Sequence, residues 1–177
     1  MKTYKWSRGR FVVLASFLAA AAPAAYGQQG VDAAAAFERL KALEGTWEAP
    51  AANGQKATTT FELVGAGTVL LERYSNPTLP AGGHMVSAYH LDQGALVLTH
   101  YCIAKNQPTL RAGEYDPAGG RIQFEFLRAG SLPDPNAGHM RRAMYRVEGP
   151  DRFNTEWEFF KDGRKVFAET ETFTRVR

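Results

Sequence analysis

Arg152-Phe153-Asn154-Thr155-Glu156-Trp157-Glu158-Phe159-Phe160 decides the fold class of this chain. Phe153, Thr155, Trp157 and Phe159 alternate with Asn154, Glu156 and Glu158, which is the period of a strand with one apolar and one wet face. Ile122, Phe124 and Phe126 alternate in the same way with Arg121, Gln123 and Glu125. Strand-like segments of this kind are predicted at 46–49, 56–64, 68–75, 84–91, 95–103, 109–115, 121–128, 139–147, 152–160 and 165–175.

Between them lie turn residues: Asn53-Gly54, Gly65-Ala66-Gly67, Asp92-Gln93-Gly94, Asp116-Pro117-Ala118-Gly119-Gly120, Gly149-Pro150-Asp151 and Asp162-Gly163. Links this short make neighbouring strands antiparallel. A meander of about ten strands removes its exposed edges by closing. The predicted fold is therefore an all-β, antiparallel up-and-down barrel.

Upstream, Val31, Ala35, Phe37, Leu40 and Leu43 recur at helical spacing with Asp32 placed to cap, so a short helix ending at Gly45 is predicted. Before it, Lys2, Lys5, Arg8 and Arg10 precede an apolar run from Phe11 to Ala22 and a small-residue site at Ala25-Tyr26-Gly27. That order is the pattern of a secretory signal peptide. The expected organisation is a leader at 1–27, an N-terminal segment with the helix at 28–44, and one barrel domain at 45–177. The location expected after cleavage is periplasmic or secreted. No later stretch reaches the roughly 20 apolar residues of a spanning helix.

Residues 1–27 hold four of the 21 Lys and Arg and none of the 18 Asp and Glu, so the remainder has a net charge of −1. The basic pI of about 9.1 is thus partly a property of the leader. It does not argue for a nucleic-acid partner. One cysteine allows no internal disulfide, leaving burial in a single domain to supply stability.

Leu98-Thr99-His100-Tyr101-Cys102, running into Asn106-Gln107-Pro108, reads as a strand that ends in a functional loop. Leu96, Leu98, His100 and Cys102 share one face, and the low exposure typical of cysteine turns that face inward. His100 and Cys102 stand roughly 6–7 Å apart along the strand, long for a thiol-imidazole pair. Asn106-Gln107-Pro108 is a turn whose carboxamides would also suit a polar ligand group at a barrel rim. The segment from Ala129 to Gly138 is too polar and proline-rich for a strand and is read as a loop, or a lid beside the mouth. His84, His90, His100, His139 and Cys102 lack the spacing of a zinc motif, and no metal or other cofactor is expected. On the strand holding Met140, Arg142, Met144 and Arg146, charges on an outer face are the simple reading. An inward turn of the methionines would carry arginines with them and suit a carboxylate-bearing amphiphile.

The helix, Gly45-Thr46-Trp47 and the meander together resemble the calycin group, which includes lipocalins, fatty-acid-binding proteins and nitrobindins. Leu98-Thr99-His100-Tyr101-Cys102, Asn106-Gln107-Pro108, Gly138-His139-Met140 and Glu156-Trp157 resemble, more narrowly, a family of exported bacterial lipocalin-like proteins of unknown function. The resemblance implies an interior pocket, with Trp47 packed across the closed end. It does not imply haem: Glu48-Ala49-Pro50-Ala51 stands where nitrobindins are glycine-rich, and no histidine follows His139.

The expected function is binding of a small hydrophobic or amphipathic molecule. Leu96, Leu98, Phe124, Phe126, Phe153, Trp157 and Phe159 would form its walls, with His100, Cys102, Asn106, Gln107 and His139 at a polar end. Two other classes stay open: an enzyme using His100 and His139 with Asn106 and Gln107, and a partner-binding protein whose barrel is filled. The oligomeric state is not legible, and the reading leans away from catalysis.

Overall fold

The computed structural model describes residues 31–176, so the predicted leader lies outside the described residues. Helix α1 (Ala33–Lys41) precedes ten strands: β1 (Gly45–Pro50), β2 (Lys56–Val64), β3 (Val69–Ser75), β4 (Met85–Asp92), β5 (Ala95–Tyr101), β6 (Gln107–Asp116), β7 (Arg121–Gly130), β8 (His139–Gly149), β9 (Arg152–Lys161) and β10 (Arg164–Arg175). Each strand pairs antiparallel with its neighbours in sequence. β1 closes the barrel on β10 through Trp47↔Arg175 and Glu48↔Thr174. This is the predicted up-and-down barrel.

Local chemistry sets these connections. The β9–β10 hairpin turns on Asp162 and Gly163, at φ 52° and 70°. Two positive φ values make the tight turn whose twist matches that of the strands, and an aspartate followed by glycine accepts them. Gly45, which opens β1, has φ 124°, and a Cβ there would stand 2.7 Å from Nη1 of Arg175. Glycine thus supplies both the backbone angle and the room for that guanidinium.

Asp32 caps α1, its Oδ1 accepting from the Ala35 amide at 2.9 Å. Ala36, Phe37 and Leu40 are buried, and the helix packs against β4, β5 and β6. Arg39 donates through Nη2 to the Val147 carbonyl at 2.7 Å. The helix end of the barrel is closed further by Trp47, fully buried, whose Nε1 donates to the Leu43 carbonyl at 2.7 Å. Arg175 lies 4.0 Å from the Trp47 ring and donates to the carbonyls of Ala42, Glu44 and Pro150.

Above Trp47 the barrel is filled by side chains. Phe153 meets Trp47 edge-on at 4.8 Å, stacks on Phe173 at 4.8 Å and lies near Phe61 and Tyr145. Leu96, Leu98, Leu110, Ile122 and Phe124 are fully buried around this column. Charge pairs such as Arg142 with Glu125 and Arg152 with Glu148 lie on the outer face. Apolar in and charged out is the reverse of the pattern on a lipid-facing barrel.

Strand parity breaks on β8, and three residues expected on inner faces, Phe126, Phe159 and Cys102, stand elsewhere. The β8–β9 register shifts between Met140 and Arg142, so Met140 lines the interior while Arg142, Met144 and Arg146 line an outer surface. One extra residue flips every later side chain to the other side. The inward arginines considered from the sequence are therefore absent from the barrel interior.

Phe126, expected on an inner wall, is only half-buried. The β7–β8 ladder stops at Glu125↔Arg142, and where the strands part the Phe126 ring meets His139 at 4.8 Å and Arg141 at 5.1 Å. Phe159 is likewise half-buried and stacks on Phe167.

Cys102, expected at the end of an inward strand face, lies instead in the turn beyond β5 and is half-buried. Its amide donates to the Asn106 carbonyl at 3.1 Å, and its own carbonyl accepts from the Lys105 amide at 3.0 Å. Lys105 takes φ 64°, so the tight turn precedes Asn106 and leaves Gln107 and Pro108 inside β6.

Candidate functional site

The β3, β4, β5, β8, β9 and β10 strands enclose a cavity of about 30 Å³ in the half of the barrel away from α1. Its apolar lining is Met85, Met140, Trp157 and Phe173; its polar lining is Glu72, Tyr74, Ser87, His100, Thr155, Glu169 and Glu171. By the usual threshold of about 10–15 Å³ for one water, this is room for a small polar group or a few waters. It is an entrance above a packed core, since the aromatic column occupies the barrel below.

At the floor sits Glu72, a carboxyl 5% exposed. Its Oε2 contacts the hydroxyls of Tyr89 at 2.5 Å and Tyr145 at 3.0 Å, and those two hydroxyls are 2.6 Å apart. Three oxygens thus share three short contacts. Two phenols supply two protons, and a third proton on Glu72 completes a ring in which every oxygen donates once and accepts once. Burial acts in the same direction, raising the Glu72 carboxyl above its ordinary range against the hydrogen bonds that hold it down. Oε1 accepts from the Thr59 hydroxyl at 3.1 Å. The shared contacts and burial thus both favour the protonated form of Glu72.

His100 stands beside this floor, as the phase of β5 requires. Its Nδ1 lies 3.0 Å from Ser87 Oγ, across the register pair Ser87↔His100, and its ring centroid lies 4.7 Å from that of Trp157. Burial pushes its pKa down to about 4, so the imidazole is neutral at pH 7. Ser87 also hydrogen-bonds Glu72. When the serine proton goes to that carboxyl, Nδ1–H donates to Oγ and Nε2 is left with a lone pair. Nε2 is buried with no hydrogen-bond partner among the described residues.

Nearer the mouth, β10 contributes two carboxylates. Glu169 and Glu171 are in phase with the buried Phe173, four and two residues away respectively, which carries them onto the inner side. Glu171 accepts from the Tyr74 hydroxyl at 2.9 Å, and Tyr74 accepts in turn from Asn76 Nδ2 at 3.1 Å. Burial first, and then the charge of Glu169, push the Glu171 pKa up to about 7, against the lowering effect of the Tyr74 bond. Burial also raises Glu169.

Of the residues singled out from the sequence, His100 and Trp157 line this cavity. Phe124 is fully buried in the packed column below. Phe126 and His139 line a separate groove under the loop between β7 and β8, together with Leu132, Pro133 and Arg141. There His139 Nδ1 donates to the Ala137 carbonyl at 2.7 Å, while Asn106 Nδ2 donates to the next carbonyl, Gly138, at 2.8 Å. Both side chains hold the base of that loop. Gln107 begins β6 opposite Gly130, and Cys102 occupies the preceding turn. His100 and His139 thus belong to different sites, and no group of three metal-ligating side chains occurs among the described residues.

The acidic lining was missed from the sequence, although a signal was present. In Glu169-Thr170-Glu171-Thr172-Phe173 the large apolar residue falls in phase with the glutamates, and in Leu70-Leu71-Glu72-Arg73-Tyr74 the same holds for Leu70, Glu72 and Tyr74. Among the described residues, no helix is long and apolar enough to cross a membrane. No family model and no curated protein matches the chain.

Proposed function

We propose that this chain is an exported, lipocalin-like binding protein that takes a small amphipathic molecule at the open half of its barrel. One observation carries the reading: a cavity whose Trp157, Met85, Met140 and Phe173 walls meet a buried histidine nitrogen that has no partner. Buried polar atoms are normally hydrogen-bonded, so such an atom in a cavity wall is suited to a ligand or a water. Apolar walls with a few polar groups are the ordinary make-up of a small-molecule site. The modest volume restricts what enters to a small head or a flat ring edge, with the rest of the molecule at the mouth.

Export rests on the leader pattern of residues 1–27, and the lipocalin-like assignment on Gly45-Thr46-Trp47 with the ten-stranded closed barrel. The test is titration of the purified mature protein with an apolar fluorescent probe, repeated on Trp157→Ala and His100→Ala. Binding is expected to weaken about tenfold with Trp157→Ala and to change its ligand preference with His100→Ala. Absence of binding, or binding indifferent to both substitutions, removes the proposal. Native mass spectrometry of protein purified from its own host should also show a retained small mass.

A further inference from the structure

The residues lining the cavity include three glutamates and neither a lysine nor an arginine. Charged side chains buried in an apolar setting need partners, yet the groups that act on Glu171 are Tyr74 and two further carboxyls, Glu169 and Glu72. Two cationic side chains of the neighbouring strands are turned away: Arg142 pairs with Glu125 and Glu158, and Lys165 pairs with Glu158 on the outer face. His100, 5% exposed, adds an unpartnered Nε2 to the same cavity rather than a positive charge.

Resting on the reading of this cavity as a ligand site, we propose that its ligand is an organic cation: a protonated amine carrying a small apolar or aromatic body. Glu171 and Glu169 receive the ammonium, His100 Nε2 offers a neutral acceptor for one of its protons, and the Trp157 face packs the apolar body. An ammonium has three donors and no acceptor, which matches a lining of carboxylates and a bare imidazole nitrogen. An aromatic face beside the carboxylates favours the cation further. A carboxylate-bearing amphiphile, in contrast, meets only like charge here.

The proposal has a pH signature. The groups facing Glu171 are Glu169 on its own strand, Glu72 and Tyr74 on β3, and His100 on β5; the other lining residues do not titrate in the neutral range. The match to the ligand's charge is completed when Glu171 releases its proton, so affinity for an amine that stays protonated over this range rises from about pH 5.5 to about pH 8.

Isothermal titration calorimetry of the purified mature protein with phenethylamine, phenethyl alcohol and phenylacetate separates the possibilities. Phenethylamine is expected to bind at least about tenfold more tightly than either of the others at about pH 8. Glu171→Gln and Glu169→Gln should each remove about tenfold from the amine alone and flatten its pH dependence. Both changes are isosteric, and unaltered alcohol binding certifies the fold. Equal binding of all three probes, weakened together by Trp157→Ala, overturns the cation preference and leaves the cavity as a ligand site. If none of the three binds, the cation proposal and the ligand site fall together.

Discussion

Tyr89 and Tyr145 reach toward each other from opposite walls of the barrel and bring their hydroxyls to 2.6 Å, above the single carboxyl of Glu72. The two rings meet at 89° with centroids 5.8 Å apart, and both pack on Phe124, so the contact also locks the middle of the core. The ring of three oxygens needs a proton on Glu72. An infrared carboxylic-acid band is therefore expected at pH 7, lost in Glu72→Gln. Glu72→Gln, which retains donors and an acceptor, is expected to destabilise by about 1 kcal/mol, whereas Glu72→Leu strands two phenols and a threonine and costs about 3 kcal/mol. Urea denaturation gives both values, and equal costs would contradict the arrangement.

Arg175 ties β10 to the segment between α1 and β1. Its guanidinium covers the Trp47 ring and donates to three backbone carbonyls, those of Ala42, Glu44 and Pro150. The β1–β10 seam has only two register pairs, so this side chain adds to a short closure. Arg175→Ala is expected to cost about 2 kcal/mol, and Arg175→Lys nearly as much, because an ammonium cannot span three carbonyls in the plane of a fork. Thermal denaturation checks the pair; full rescue by lysine would show that only the charge matters.

How far the sequence could be read depended on whether a segment's meaning was local. Asp162-Gly163 and the alternation in Phe153-Asn154-Thr155-Glu156-Trp157 identify their hairpin and strand without outside help, and all ten strands appear close to their predicted positions. Met140 could not be told apart from Arg142 because the register shift between them is decided by the partner strand, and parity counted along β8 alone does not contain it; Phe126, in phase with Phe124, is only half-buried where β7 and β8 part. His100 was placed correctly from the phase of Leu96 and Leu98, both fully buried. His139 shares a sequence neighbourhood with nothing in its groove except Arg141 and the loop, so its separation from His100 required the three-dimensional course of β8. Glu169 and Glu171 were legible in principle, but glutamate on a strand reads as solvent-facing until Phe173 is known to point inward.

Cys102 gives a chemical test of the turn beyond β5. Its thiol is half-buried, and burial raises its pKa despite backbone hydrogen bonds from Ile103 and Ala104 that lower it. A maleimide should label the native protein at pH 7, more slowly than a free thiol and faster with rising pH, since the thiolate is the reactive form. Cys102→Ser should change stability by less than about 1 kcal/mol, because no packed apolar site is emptied. Labelling seen only after unfolding would return the thiol to the core.

Asn106 anchors the long loop between β7 and β8 by one bond, Nδ2 to the Gly138 carbonyl, while His139 holds Ala137. Asn106→Ala is expected to cost about 1 kcal/mol by leaving a partly buried carbonyl unpaired. Its effect should concentrate in that loop, as faster amide exchange across residues 131–138, with the amides of β9 unchanged. A uniform increase in exchange over the whole barrel would instead make Asn106 a global determinant of stability.

Two groups in the cavity impose opposite pH dependences on stability. His100 has its folded pKa depressed to about 4 from 6.5, so its contribution is fully present above about pH 6.5 and is lost as pH falls through about 4. Glu171 has its folded pKa raised to about 7 from 4.5, so its contribution is fully present below about pH 4.5 and is lost as pH rises through about 7. Between these limits the two slopes oppose each other. For buried His100 the full effect is on the order of 3 kcal/mol, and for the half-buried Glu171 it is smaller because water screens it. His100→Gln should therefore lose ground to the wild type as pH rises from about 4 to about 6.5, and Glu171→Gln should gain ground on it from about 4.5 to about 7. Urea midpoints of the three proteins across that range decide the matter. Parallel curves for His100→Gln and wild type would mean that the imidazole titrates normally in the fold, and so that water reaches Nε2 freely.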